Sequence, residues 1–204
     1  MSFLYIILSI ALGYLIGSIP WALIIGKVFF HKDIRNYGSG NLGGTNAGRV
    51  VGKPIGLLVI ILDASKALLV MTAFNFIYQQ AIPFAGLAVS VGHCFPVFAN
   101  FKGGKGVACA MGYLLGLGIF GFADIIFVFI YPVLAFILIL GLSKMVSLSS
   151  MIALLIATII SIFTAKDINI TIMIGALTLF VIYRHSANIK RIIQGKESKI
   201  TWIK

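Results

Sequence analysis

The chain has 204 residues, of which 60% are hydrophobic and only 10% charged, with a mean hydropathy of +1.10. That balance excludes a soluble domain of this size and leaves an integral membrane protein. The net charge of +11 arises from 16 Lys and Arg against five acids, too few carboxylates to build a two-metal phosphotransferase site.

Stretches without formal charge run from Met1 to Gly26, Ala67 to Phe101, Ile125 to Ser143, Met145 to Ala165 and Ile168 to Tyr183. Most approach the roughly 20 apolar residues that a spanning helix needs. Divided at their turn signals, they predict an all-α, polytopic protein of seven transmembrane helices, near 3–28, 55–78, 82–99, 107–120, 123–142, 146–163 and 169–184. The first block has no basic residues ahead of it and runs past Pro20, so it is expected to persist as a helix rather than be cleaved. Gln79, Gln80 and Pro83 separate the second and third helices. Asp124 marks a surface after the fourth, which is short enough to be tilted or re-entrant. No internal repeat appears, and 1–204 is expected to be a single membrane-embedded domain.

Cytoplasmic loops retain Lys and Arg during insertion, and here these residues fall on one side. With the N-terminus outside and the C-terminus cytoplasmic, Lys27, Lys32, Arg35, Arg49 and Lys53 lie at the first inner loop, Lys102 and Lys105 at the second and Lys144 at the third. Arg184, Lys190, Arg191, Lys196, Lys199 and Lys204 complete the inner face, Lys166 is outside and Lys66 is intramembrane. Positive-inside topology thus accounts for much of the charge without nucleic acid, and anionic lipid adds to the attraction.

The first inner loop, YGSGNLGGTNAGR from Tyr37 to Arg49, is unusually rich in glycine and amide groups. Gly38, Gly40, Gly43, Gly44 and Gly48 give flexible backbone, Ser39, Asn41, Thr45 and Asn46 give short hydrogen-bonding side chains, and Arg49 gives a permanent charge. Such a mixture suits a small polyol phosphate; the plain alternative is a flexible connector. A literal GxGxxG occurs at Gly38, Gly40 and Gly43, but no soluble strand precedes it, which removes the dinucleotide-binding reading. In the second helix Asp63 and Lys66 stand at i, i+3 on one face. Charges within a span are costly and usually functional, although this pair can neutralise itself as a purely architectural element.

The second loop lies within GHCFPVFANFKGGKG, from Gly92 to Gly106. Lys102 and Lys105 flank Gly103 and Gly104 immediately before an apolar helix whose N-terminus attracts anions. A Walker A loop is excluded by the missing upstream glycine spacing and the missing Ser or Thr after the lysine. His93 is either structural or part of the site. Cys94 and Cys109 read as packing thiols without a disulfide or metal-ligand spacing. The C-terminal segment RHSANIKRIIQGKESKI brings Arg184, His185, Asn188, Arg191 and Glu197 to the inner edge, with Ile189, Ile192 and Ile193 on one face of an interfacial helix.

Together GSGNLGGTN with Arg49, GHCFPVFANFKGGKGVA, and RH with NIKR and Glu197 closely resemble the three motifs of the bacterial PlsY acyl-phosphate:glycerol-3-phosphate acyltransferases. The resemblance covers essentially the whole chain. Gly44 stands where alanine is common, and Ala67 where glycine often follows the lysine; both changes are small for small. The resemblance implies acyl transfer from acyl phosphate to the 1-hydroxyl of glycerol 3-phosphate, giving lysophosphatidic acid and phosphate, in the bacterial cytoplasmic membrane with the site facing the cytoplasm. It implies no cofactor, no acyl-CoA and no metal. The expected partners are glycerol 3-phosphate, acyl phosphate, membrane lipid and an acyl-phosphate-producing enzyme.

Carried onto this sequence, the resemblance makes Ser39, Arg49 and Lys105 catalytic. Gly38, Gly40, Asn41, Thr45, Asn46, Lys102, Gly103, Gly104, His185, Asn188 and Glu197 become substrate or phosphate contacts, with Asp63, Lys66 and His93 in support. No HxxxxD follows any histidine, so the soluble-headed acyl-CoA acyltransferases are not matched. Two other classes stay open on the residues alone: a transporter for a small organic phosphate, which would line both halves of the membrane with polar groups, and a noncatalytic scaffold.

Overall fold

Pro20 decides the shape of the first span. Lacking an N–H, it interrupts the hydrogen-bond ladder, so the expected single helix 3–28 is two, α1 (Ser2–Gly17) and α2 (Trp21–Phe30). The computed structural model describes residues 2–200, so Lys204 lies outside the described residues. Apart from an isolated antiparallel bridge between Ala123 and Ala165, the regular structure among these residues is helical.

The other elements are α3 (Gly44–Val51), α4 (Lys53–Ile77), α5 (Ile82–Cys94), α6 (Val107–Ile119), α7 (Tyr131–Ser143, preceded by a π-turn over Ile126–Ile130), α8 (Val146–Thr164), α9 (Ile168–Arg184) and α10 (Ser186–Ile193). The eight-residue helix α3 replaces half of the expected glycine loop. Pro96 ends the third predicted helix early, leaving a 3-10 turn at Val97–Ala99.

Among the described residues, five helical stretches are long and apolar enough to cross a membrane: Ser2–Phe30, Lys53–Ile77, Gln79–Ala99, Ile126–Ser143 and Val146–Thr164. A sixth forms if α9 and α10 count as one span bent by 61°. Against seven expected, α6 is the shortfall, an apolar helix of only 13 residues.

The chain divides into two compact units, Met1–Gly116 and Leu117–Lys204. In the first, α1 lies on α5 through small residues. A Cβ on Gly13 or Gly17 would strike the backbone carbonyl of Ala85 or Val89, and one on Gly92 would strike that of Tyr14. Such contacts bring backbones together where lipid supplies no hydrophobic drive. Gly44 and Gly56 do the same between α3 and α4, since a Cβ on Gly56 would lie 2.7 Å from the Gly44 carbonyl. In the second unit α8 packs against α7 and α9, with Thr158 and Thr178 hydroxyls 2.9 Å apart and the Thr171 hydroxyl donating to the Ser161 carbonyl at 2.9 Å.

Candidate active site

Ile34, Leu42 and Ala47 anchor the first motif in a buried apolar cluster with Ala22, Leu23 and Ile25 of α2 and Val59 of α4. Ala99, three residues before Lys102, belongs to the same cluster. The first two motifs therefore rest on one core of the first unit.

Within the first motif, Gly38 and Gly40 take φ of 61° and 68°, left-handed conformations that glycine adopts without strain. Asn46, buried on α3, organises the turn. Its amide nitrogen donates to the Ile34 and Tyr37 carbonyls at 3.1 and 3.2 Å, and its oxygen accepts from the Ser39 backbone at 2.8 Å. Asn46 thus spends its donors and its acceptor inside the loop. Ser39 is exposed, Asn41 half-buried, and Thr45 and Arg49 are exposed four residues apart on one face of α3. Upstream, Asp33 holds Arg35 through contacts of 2.6 and 2.9 Å. That hydrogen bond and the Arg35 and Lys27 charges hold the Asp33 carboxyl well below the usual carboxylate range, against a smaller effect of burial.

The second motif turns sharply before its lysines. Asn100 and Phe101 both have positive φ, 53° and 58°, a costly pairing of the kind that clusters at ligand clamps. Lys102 is exposed, Lys105 half-buried, and Gly106, at φ 85°, opens α6 by accepting from Ala110 N–H at 2.8 Å. Gly103 and Gly104 are buried against His93: a Cβ on Gly103 would strike the His93 carbonyl, and one on Gly104 its ring Nε2. The Gly104 N–H donates to the His93 carbonyl at 3.0 Å. These glycines are therefore required by close approach to α5.

His93 is buried and joined to the intramembrane charges. Its Nδ1 stands 3.4 Å from Asp63 Oδ1, which the Lys66 ammonium approaches to 2.8 Å. Lys66 also donates to the Gly17 and Ile19 carbonyls at 3.1 and 2.7 Å, backbone groups at the Pro20 break. Lys66 thus answers the Asp63 charge and also solvates the carbonyls of the broken helix.

The third motif lies in the second unit. His185 is buried with Nδ1 2.7 Å from the Val181 carbonyl. Glu197 accepts from Asn188 at 2.6 Å, Ser147 at 2.7 Å and Arg191 at 2.8 Å. Burial pushes the Glu197 carboxyl up, but those hydrogen bonds and the Arg191 charge outweigh it and leave the group below its ordinary value. Sequence reasoning missed Ser147; its place one residue into α8 gave no signal, because its partner lies 50 residues away.

The family profile described as Glycerol-3-phosphate acyltransferase matches residues 7–195. The chain belongs to the PlsY family of glycerol-3-phosphate acyltransferases. Its relatives include the glycerol-3-phosphate acyltransferase of Listeria welshimeri, 46% identical over 97% of this chain and 98% of that one. Another is that of Geobacillus kaustophilus, 42% identical over 96% of both. The crystal structure of PlsY, an integral membrane glycerol 3-phosphate acyltransferase, in its glycerol 3-phosphate form superposes with a TM-score of 0.87 at 33% identity, covering 96% of each chain. The lysophosphatidic acid form of PlsY gives 0.84 at 31% identity, over 96% of this chain and 95% of that one.

Proposed function

We propose that this protein transfers an acyl group from acyl phosphate to the 1-hydroxyl of glycerol 3-phosphate, releasing lysophosphatidic acid and inorganic phosphate. The observation that carries the reading is the likeness, over 96% of both chains, to a PlsY structure in a glycerol 3-phosphate form. The lysine-glycine turn fits the role: Lys102 and Lys105 flank two glycines ahead of a helix N-terminus, and Ala99 just upstream shares a buried core with Leu42 and Ala47 of the segment that carries Ser39 and Arg49.

In this proposal Ser39 and Arg49 hold and orient glycerol 3-phosphate, with Gly38, Gly40, Asn41 and Thr45 offering further hydrogen bonds. Lys105, with Lys102, binds the phosphate of the donor and polarises its acyl carbonyl, and Gly103 and Gly104 let the turn that carries them close on His93. The substrate hydroxyl oxygen bonds to the carbonyl carbon, the bond from that carbon to the phosphate oxygen breaks, and the hydroxyl proton passes to a substrate phosphate. No strong protein base is required, because a substrate phosphate accepts the hydroxyl proton, and the acyl phosphate is already activated by its leaving group. The work of the protein is positioning and charge stabilisation. Asn46 serves by holding the first motif in shape, and His185, Asn188 and Glu197 by ordering the third.

The same reading assigns seven spans, with α6 and α9 as short ones, the N-terminus outside and the motifs on the cytoplasmic side of the bacterial inner membrane. An enzyme that makes acyl phosphate must supply the donor. Purified protein given acyl phosphate and glycerol 3-phosphate, without CoA or divalent metal, should form lysophosphatidic acid. Lys105→Ala should lower turnover at least about 100-fold, on the scale of losing a transition-state charge contact, while the circular dichroism spectrum stays helical. Undiminished activity in that variant would remove Lys105 from the site; no acylation by the parent, with phosphate uptake into vesicles instead, would establish a transporter.

A further inference from the structure

The intramembrane charges end against the phosphate-binding turn, and the connection between them is specific. Asp63, on α4, is 1% exposed. Its Oδ1 pairs with the Lys66 ammonium at 2.8 Å and lies 3.4 Å from His93 Nδ1. The Asp63 backbone carbonyl also receives the Cys109 thiol at 3.1 Å, which ties α4 to α6 beside the same imidazole. On its far side the His93 ring leaves no room for a Cβ at Gly104, and the His93 carbonyl receives the Gly104 N–H at 3.0 Å. Gly104 is the residue before Lys105. The imidazole is thus wedged between a fixed carboxylate and the backbone of the turn, so the ring's orientation sets where that backbone can lie.

A charge pair that only neutralised itself would not need the histidine. Lys66 already answers the Asp63 charge and spends its remaining donors on the Gly17 and Ile19 carbonyls. The histidine is the third party that carries the carboxylate's position outward. We propose that Asp63 is a positioning residue for the lysine-glycine turn, acting through the His93 ring that buttresses Gly104. This rests on the phosphate-binding role proposed for that turn.

Inorganic phosphate, as a competitor of acyl transfer in the purified full-length protein, is the probe. Asp63→Asn keeps the side-chain shape and removes the charge that draws His93; His93→Gln removes the ring and leaves the Asp63–Lys66 pair intact. Each should weaken phosphate inhibition about tenfold or more, because displacing a binding group by a fraction of an ångström costs on that scale. Each should raise the KM for acyl phosphate, whose phosphate the turn holds, more than it lowers kcat. The double variant should be no worse than the poorer single one, since the two residues act in series.

Multiplying defects in the double variant would mean two independent structural roles and would overturn the proposal. So would unchanged phosphate inhibition in His93→Gln, which decides the matter alone if Asp63→Asn fails to fold. If the parent neither acylates glycerol 3-phosphate nor responds to phosphate, the functional reading itself falls and this inference with it. A parent that is active and phosphate-sensitive, with variants that phosphate inhibits just as strongly, sinks only the role of Asp63.

Discussion

Replacing Asn46 by alanine would strip the Ile34 and Tyr37 carbonyls and the Ser39 N–H of their partner at once. Each buried group left unpaired costs about 1–3 kcal/mol, so Asn46→Ala should lower the thermal midpoint in detergent and raise the KM for glycerol 3-phosphate together. Asn46→Asp should also be damaging. It keeps the acceptor for Ser39 but aims lone pairs at two carbonyls. The sequence marked Asn46 as one polar residue among several in a glycine-rich stretch. What it could not convey was direction: the spacing of seven between Ser39 and Asn46 closes only because Gly38 and Gly40 take left-handed backbone, and that geometry turns a presumed phosphate contact inward.

Elements meet here through the absence of side chains. Gly17→Ala should place a methyl group against the Val89 carbonyl, with the Val89 Cα at 2.8 Å. Overpacking of that kind costs about 1–3 kcal/mol and should register as a lower melting midpoint. Gly141 on α7 is the control, since nothing lies within 4 Å of its Cβ position. Gly141→Ala should be neutral or slightly stabilising, by up to about 1 kcal/mol. In the second unit, the brace on Glu197 should depend on pH. The carboxyl is lower in the folded state than its ordinary 4.5, so the brace is at full strength above that value and weakens as acid carries pH down through the folded one. Protease cutting near Lys196 and Lys199 should accordingly increase on acidification below about 4.5, and Glu197→Gln should remove most of that dependence. Helix periodicity and turn residues made the main spans legible because lipid demands long apolar runs. They did not reveal α3, whose eight residues are glycine-rich and far shorter than a span although Ala47, Val50 and Val51 give it an apolar face, nor the break at Pro20, whose carbonyls are met by Lys66 far along the chain.

For the molecule as a whole, the asymmetry of Lys and Arg makes orientation testable. Cys94 and Cys109 are fully buried, so single cysteines placed at the exposed positions Lys166 and Lys196 should react with an impermeant maleimide only from outside and only after permeabilisation, respectively. The reverse pattern would invert the topology. Motif content was readable along the chain because phosphate chemistry needs a narrow set of residues, whereas the support beneath it, such as Ala99 sharing a core with Leu42 and Ala47, is a matter of three-dimensional neighbours. The brevity of α6 has its own effect. At 1.5 Å per residue its 13 residues cover about 20 Å, against roughly 30 Å of hydrocarbon. Phe98 and Phe101, 61% and 57% exposed beside Lys102, need oil around them, which puts the deficit at the lysine end. The turn then sits below the waterline of the headgroups, or draws the surface down to itself. Under the proposed assignment, a greasy acyl donor would keep its tail afloat in lipid while its charged end reached the ammonium groups, and the water-borne reactant would be the one that makes the descent.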